Sequence, residues 1–262
     1  ACDHKKLINL LNLGEQPLAN ALLKSKKNLE KEIKIPLELC MCNKCKLIQL
    51  KHTVDPKILF QKYLWVTGTS KKVKTYRKFF FDELKKNITL KNKFICEIAS
   101  NDGFFLEYIK KDNKAIGIDP AKNIAKIANS KGIKTHVDFF NLDTAKKIIK
   151  IYKKKPNLVI CRNVIPHIEN IKSVMKGLNE IISKDGIGAI EFHNAKNIIK
   201  KKHYDYIYHE HIYYFTLTTI NNVLKRNGLF GFDFFQSPIS GGSFVILFKK
   251  KRTKHTRKFK KM

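Results

Sequence analysis

Two short stretches hold most of the residues whose type and spacing could do chemistry. In CMCNKCKLIQL, Cys42 and Cys45 make a C-x-x-C pair, with Cys40 two residues earlier. Such a pair lets two thiolates reach one tetrahedral ion while the backbone turns between them, so zinc is the expected occupant. One pair gives only two ligands; Cys2 is the next candidate, with Cys40 and His4 as substitutes. A cluster of buried or reactive thiols would show the same spacing. The second stretch, YIYHEHIYYF over residues 206–215, sets His209, Glu210 and His211 among aromatic rings. Imidazole titrates near neutrality, and an aromatic surround disfavours its cation, so a neutral general base in an apolar pocket is one reading. Core histidines satisfied by backbone groups would look alike, and an H-x-H metal pair is a third option. A fully extended segment would put Tyr208 and Glu210 on one face and both histidines on the other. The segment is therefore expected to turn. His167, in CRNVIPH, is a further candidate acid or base.

The elements around these stretches give an order to the chain. Residues 1–60 read as a small zinc-binding domain, in which LINLLNLGEQPLANALL is strand, Gly-Glu-Gln-Pro turn and short helix. Residues 61–90 read as a helical connector. From 91 to 249 strand and helix alternate, the pattern of an α/β doubly wound sheet: FICEIA, KAIGID, KTHVDFF, NLVICRNVI, IGAIEFH, LFGFDFFQSPI and GGSFVILFKK are seven strands, the last two an antiparallel hairpin. Ligands of such a sheet bind beyond the carboxyl ends of its strands. Three points fall there: EIASNDG, whose amides open a helix and can face an anion; Asp119, which ends the second strand where an acid grips ribose hydroxyls; and CRNVIPH. Glu97, Ser100, Asn101, Gly103, Asp119, Phe139 and Asn163 are the candidate cofactor contacts. G-x-G-x-x-G is absent, so S-adenosylmethionine fits better than a dinucleotide.

Hydrophobic residues make up 43% of the 262, enough for a packed core. No apolar run approaches the roughly 18–20 residues of a membrane span, and no signal peptide is apparent, so a cytoplasmic protein is expected. A net charge of +31 ordinarily suggests polyanions. Here the lysines are spread along the chain and accompany an excess of Ile, Asn and Phe, all encoded by A- and T-rich codons, so specific nucleic-acid binding is not expected. Residues 250–262 form a basic tail without apolar period, expected to be disordered. A zinc ribbon that binds nucleic acid through its lysines is the alternative class; it would show steep salt dependence and no saturable adenosine site.

Taken in order, LNLGEQPLAN, IPLELCMCNKCKLIQL, EIASNDG, IGIDPAKNIA, RNVIPHI, YIYHEHIYYF and SGGS resemble the sugar C-methyltransferases that carry an N-terminal zinc domain. The resemblance implies a seven-stranded Rossmann-like methyltransferase sheet. It implies methylation of a nucleotide-linked 4-keto deoxysugar with S-adenosylmethionine, at the carbon beside the ketone. It further implies a structural zinc on two C-x-x-C pairs, of which Cys2, Cys42 and Cys45 match, cofactor contacts at SNDG and Asp119, and a histidine base matching His211. In that role Tyr208 and Glu210 would arrange the substrate and His167 assist. Three departures stand out: the first cysteine of the zinc set has no match among these 262 residues, Ala99 replaces the family's Gly, and the family continues beyond GGS into a C-terminal domain that helps enclose the sugar nucleotide. A second chain could supply that domain, or the protein could be a relative that binds cofactor without turnover.

Overall fold

The computed structural model describes residues 1–23, 25–239 and 241–260; Ser240 of the SGGS motif and the last two residues of the tail lie outside them. The chain first lays down β1 (Leu7–Pro17) and β2 (Lys34–Cys42), antiparallel to one another, then β3 (Ile48–Leu50) beside β2. The expected Gly-Glu-Gln-Pro turn is instead part of β1. Gly14 takes φ +69°, the register slips between Asn12 and Glu15, and the strand runs on through a bulge. The helix expected at ANALL does not form; a single 3-10 segment follows at Lys26–Lys31.

Helix α1 (Pro56–Phe60) starts where the Asp55 carboxylate accepts the Lys57 N–H at 2.8 Å. Helix α2 (Lys71–Lys85) buries Tyr76, Phe80, Phe81 and Leu84, the stripe its i, i+4, i+8 spacing dictates. These side chains enter the core under the larger sheet, so the segment read as a connector is built into the main unit.

The larger sheet then forms by alternation: β4 (Phe94–Ile98), α3 (Phe104–Ile109), β5 (Lys114–Ile118), α4 (Lys122–Ser130), β6 (Lys134–His136), α5 (Leu142–Tyr152), β7 (Leu158–Arg162), α6 (Ile171–Ile181) and β8 (Ile187–Phe192). Next come α7 (Ala195–Lys200), β9 (Tyr213–Tyr214), α8 (Leu217–Arg226), β10 (Phe230–Gln236), β11 (Phe244–Lys249) and α9 (Arg257–Lys260). All seven expected strands are present, in the order β10-β11-β8-β7-β4-β5-β6. The five from β4 to β8 are parallel, and β11 lies antiparallel between β8 and β10. Strand β4 is buried at every position, as a parallel strand covered on both faces must be. The topological switch lies at β4, between β5 and β7, and the loops after the parallel strands gather on one edge.

Strand β9 belongs to the other sheet. Gln49 and Ile48 of β3 pair with Tyr213 and Tyr214, giving the order β1-β2-β3-β9. Leu37, Leu50, Tyr214, Ala195 and Ile198 close a small core between the two units. The first sixty residues are thus completed by a strand contributed from beyond residue 200. The tail also departs from expectation. Phe259 of α9 is buried, Thr256 donates its N–H to Phe232 at 3.0 Å and its hydroxyl to Asp233 at 2.8 Å, so residues 256–260 pack across β10. The apolar ring at Phe259 is what the composition of the tail concealed.

Candidate active site and metal centre

The carboxyl ends of β4 to β8 open on one cavity of about 720 Å³, within the roughly 300–1,000 Å³ of small-molecule sites. After β4 the chain turns sharply, with Ala99 at φ +53°, Asn101 at +51° and Gly103 at +72°. Ala99 therefore holds the left-handed conformation that glycine adopts without strain. The turn aims the Asn101 N–H at Asp119 Oδ2, 2.8 Å away, while Asp119 Oδ1 accepts the Ala121 N–H at 2.9 Å. Burial raises the Asp119 pKa, with the two N–H bonds opposing. The Asn101 side chain ties the segment before α2 to this rim: its Oδ1 accepts the Thr67 N–H at 2.9 Å and its Nδ2 donates to Trp65 O at 3.0 Å.

Of the residues read as cofactor contacts, Asn101, Asp119, Phe139 and Asn163 line the cavity. Asn163 sits at φ +49°, and its Oδ1 is buried without a partner among the described residues. Glu97, Ser100 and Gly103 do not line it. Glu97 shares a strand face with Ile95 and points beneath α3, where Arg162 Nε donates to its Oε1 at 2.7 Å. Burial lifts the Glu97 carboxyl to about 7 despite that guanidinium. Ser100 packs over Gly117, where any Cβ would lie 2.2 Å from its hydroxyl. Gly103 serves the turn into α3.

The aromatic stretch turns as expected, His211 donating its N–H to Tyr208 O at 3.0 Å. The turn brings the two rings to 4.2 Å between centroids, with Tyr208 Oη 3.1 Å from His211 Nε2. His211 Nδ1 lies 2.8 Å from the Tyr206 carbonyl, which can only accept. Nδ1 therefore carries the proton, and the Nε2 lone pair accepts the Tyr208 hydroxyl. Burial drives the His211 pKa down to about 4, the Tyr206 carbonyl opposing. His167, from the turn after β7, stands 4.8 Å from His211 and is likewise held neutral by burial. Tyr208, His211 and His167 all line the cavity. His209 turns away and contacts Ile35 O of β2 at 3.0 Å, a structural role. Glu210 lies between the units: Asn20 Nδ2 donates to its Oε1 at 2.6 Å, its Oε2 has no partner among the described residues, and burial raises its pKa.

Among the cavity residues that sequence reasoning missed are His193, Tyr63 and Asn20. His193 follows β8 directly, so the carboxyl-edge rule applied to the fifth parallel strand would have found it. Tyr63 feels both Glu210 and Asp119, and its phenol is pushed up to about 12 by burial first and by these carboxylates second. Nothing in the sequence linked Asn20 to a glutamate so far along the chain.

At the other end of β2, Cys2, Cys42 and Cys45 bring their sulfurs within 4.8 Å of one another, Cys2 and Cys42 to 3.4 Å. Thiolates about 2.3 Å from a shared zinc lie about 3.8 Å apart, so the spacing fits. Burial works against ionising Cys42, but the backbone N–H groups of Cys45 and Lys44 and the Cys2 thiol bring it down to about 7. Cys40 is directed elsewhere, its thiol donating to Gln49 O at 3.4 Å, and His4 is not part of the cluster.

The family model for a methyltransferase domain matches residues 71–230, and one for a zinc binding domain matches residues 1–60. The chain belongs to the methyltransferase-domain family. The chain is 28% identical over 247 residues to the C-methyltransferase NovU of Streptomyces niveus, covering 94% of the chain and 59% of NovU. It thus spans about three fifths of that relative's length. Its fold is similar to the PH0226 protein of Pyrococcus horikoshii, with TM-score 0.55 and 11% identity over 76% of this chain and all of that one. A magnesium protoporphyrin IX methyltransferase from Synechocystis, solved with bound SAH, gives TM-score 0.52 and 13% identity over 70% of this chain and 88% of its own.

Proposed function

We propose that the chain methylates carbon, using S-adenosylmethionine, at the position beside the ketone of a nucleotide-linked keto-deoxysugar. The observation that carries this reading is the placement of Asp119 and the Tyr208–His211 pair on the wall of one cavity. A ribose-gripping acid and a proton-removing pair then share the space in which a donor and an acceptor must meet. The activity named for NovU supports the choice of carbon. The residues present fit the cofactor. Asp119 accepts one N–H on each oxygen and keeps lone pairs for ribose hydroxyls, and Phe139 and Asn163 line the same cavity.

Bound there, S-adenosylmethionine supplies an electrophilic methyl group. The chain's own residues make the acceptor carbon nucleophilic, which requires loss of a weakly acidic proton. Tyr208 Oη takes that proton as its own passes to His211 Nε2, and the Tyr206 carbonyl holds the resulting imidazolium through Nδ1. Glu210 does not itself line the cavity; its Oε1 holds Asn20, which does. His167 packs beside His211 and keeps its plane. Calorimetric titration with S-adenosylmethionine, with and without keto-sugar nucleotides, tests the reading. Saturable cofactor binding that Asp119→Ala weakens is the expected result; no saturable binding would sink it.

A further inference from the structure

Making an enolate requires two groups: one to take the carbon-bound proton and one to hold the charge that gathers on oxygen. His211 and Tyr208 provide the first, but the Tyr208 hydroxyl hydrogen is committed to His211 Nε2. Asn20 is turned to Glu210, and the Asn101 amide to Trp65 O. His193 is different. It follows β8 at the carboxyl edge, lines the cavity, and stands 5.0 Å from His211 and 4.8 Å from Tyr206 between ring centroids. Its Nδ1 is buried with no partner among the described residues, which leaves Nε2 as the nitrogen on the cavity side. A buried N–H without an acceptor is rarer in proteins than a bare lone pair, so the proton belongs on Nε2.

We infer that His193 is a second catalytic imidazole, donating a hydrogen bond from Nε2 to the ketone oxygen of the acceptor as that oxygen gains charge. The inference rests on the enolate reading above. As the C–H bond breaks, its electron pair forms the C=C bond and the carbonyl π pair moves onto oxygen, where the His193 N–H meets it. No proton leaves His193; the one taken from carbon ends on Tyr208 Oη, whose own proton has passed to His211 Nε2. When the carbon–methyl bond forms, the carbonyl is restored and the bond to sulfur breaks with its pair on sulfur. A neutral imidazole acting as such a donor is established chemistry, and burial keeps His193 neutral, pulling its pKa down to about 3.

The test separates enolisation from methyl transfer. With S-adenosylhomocysteine in the cofactor site, a thymidine-diphosphate-linked 4-keto-6-deoxyhexose is incubated in D2O, and deuterium entry beside the ketone is followed by NMR. Wild type exchanges; His193→Phe loses about a hundredfold in rate, as removal of an oxyanion donor does, while His193→Gln, which keeps an N–H, stays within about tenfold of wild type. Both variants bind S-adenosylhomocysteine as wild type does, which excludes misfolding. Exchange in His193→Phe within a few-fold of wild type overturns the role of His193 alone. No exchange in wild type overturns the enolate reading and this inference with it. Nitrogen NMR of histidine-labelled protein adds a check that needs no acceptor: His193 appears as a neutral Nε2–H tautomer, and an Nδ1–H tautomer overturns the proposal.

Discussion

His211 shows how far a motif specifies chemistry. Its type and its aromatic neighbours were legible in the sequence, and so was the need for a turn. Its hydrogen bonds were not, because the Tyr206 carbonyl and Tyr208 hydroxyl meet it only once the turn closes. Burial also takes its pKa from 6.5 to about 4, lower than the near-neutral base the sequence suggests. The lowered value means that the neutral, competent form is complete above about pH 5 and is lost only as pH falls through about 4. The kcat/KM profile should therefore show no acid limb near 6.5, and a limb there would contradict the assigned environment. His211→Asn should lower turnover about a hundredfold or more and leave cofactor affinity unchanged. Asp119→Ala should weaken S-adenosylmethionine by about 1.5–3 kcal/mol, the range for hydrogen bonds to a charged group, measured by calorimetry. Ala99 poses a different question. At φ +53° a methyl side chain is strained, so Ala99→Gly should raise stability by roughly 1 kcal/mol in a denaturant titration without harming cofactor binding. Glu97 was misread for a physical reason: a strand residue alternates faces, and this one faces Arg162 beneath α3.

Among the elements, the alternation of β4 to β8 with helices was readable because buried parallel strands are short apolar runs bounded by turn residues. Strand β1 was misjudged because Gly14 and Pro17 look like a turn, yet glycine also makes a bulge, and only the partner strand decides between them. Strand β9, at two residues, has no period to detect. It matters all the same. The knuckle at Cys42–Cys45 leads into β3, which pairs with β9 directly after His211, and β2 holds His209 through Ile35. The metal module thus braces the turn that carries the base from two sides. Removing zinc with a chelator should increase hydrogen exchange at residues 209–214 while β4 and β5 keep their protection. Unchanged exchange at 209–214 would show that the brace stands without the metal.

The whole molecule has two sheets that share a boundary, with the cavity on the edge where they meet. Its charge of +31 does not gather at that cavity: Asp119, Asp138 and Asp55 are among its walls, and three neutral imidazoles face it. Among the described residues no helix is long and apolar enough to cross a membrane. Part of the basic tail is anchored across β10 by Phe259, so Phe259→Ala should lower the thermal midpoint and leave cofactor affinity alone. The central claim is that a methyl group passes to carbon in this cavity. The most direct measurement supplies S-adenosylmethionine labelled with carbon-13 at the methyl, together with a nucleotide-linked keto-deoxysugar, and reads the product by NMR. The account predicts the label as a methyl bonded to the carbon beside the ketone, absent with His211→Asn. A label found on oxygen or nitrogen, or left unconsumed on the donor, would contradict it.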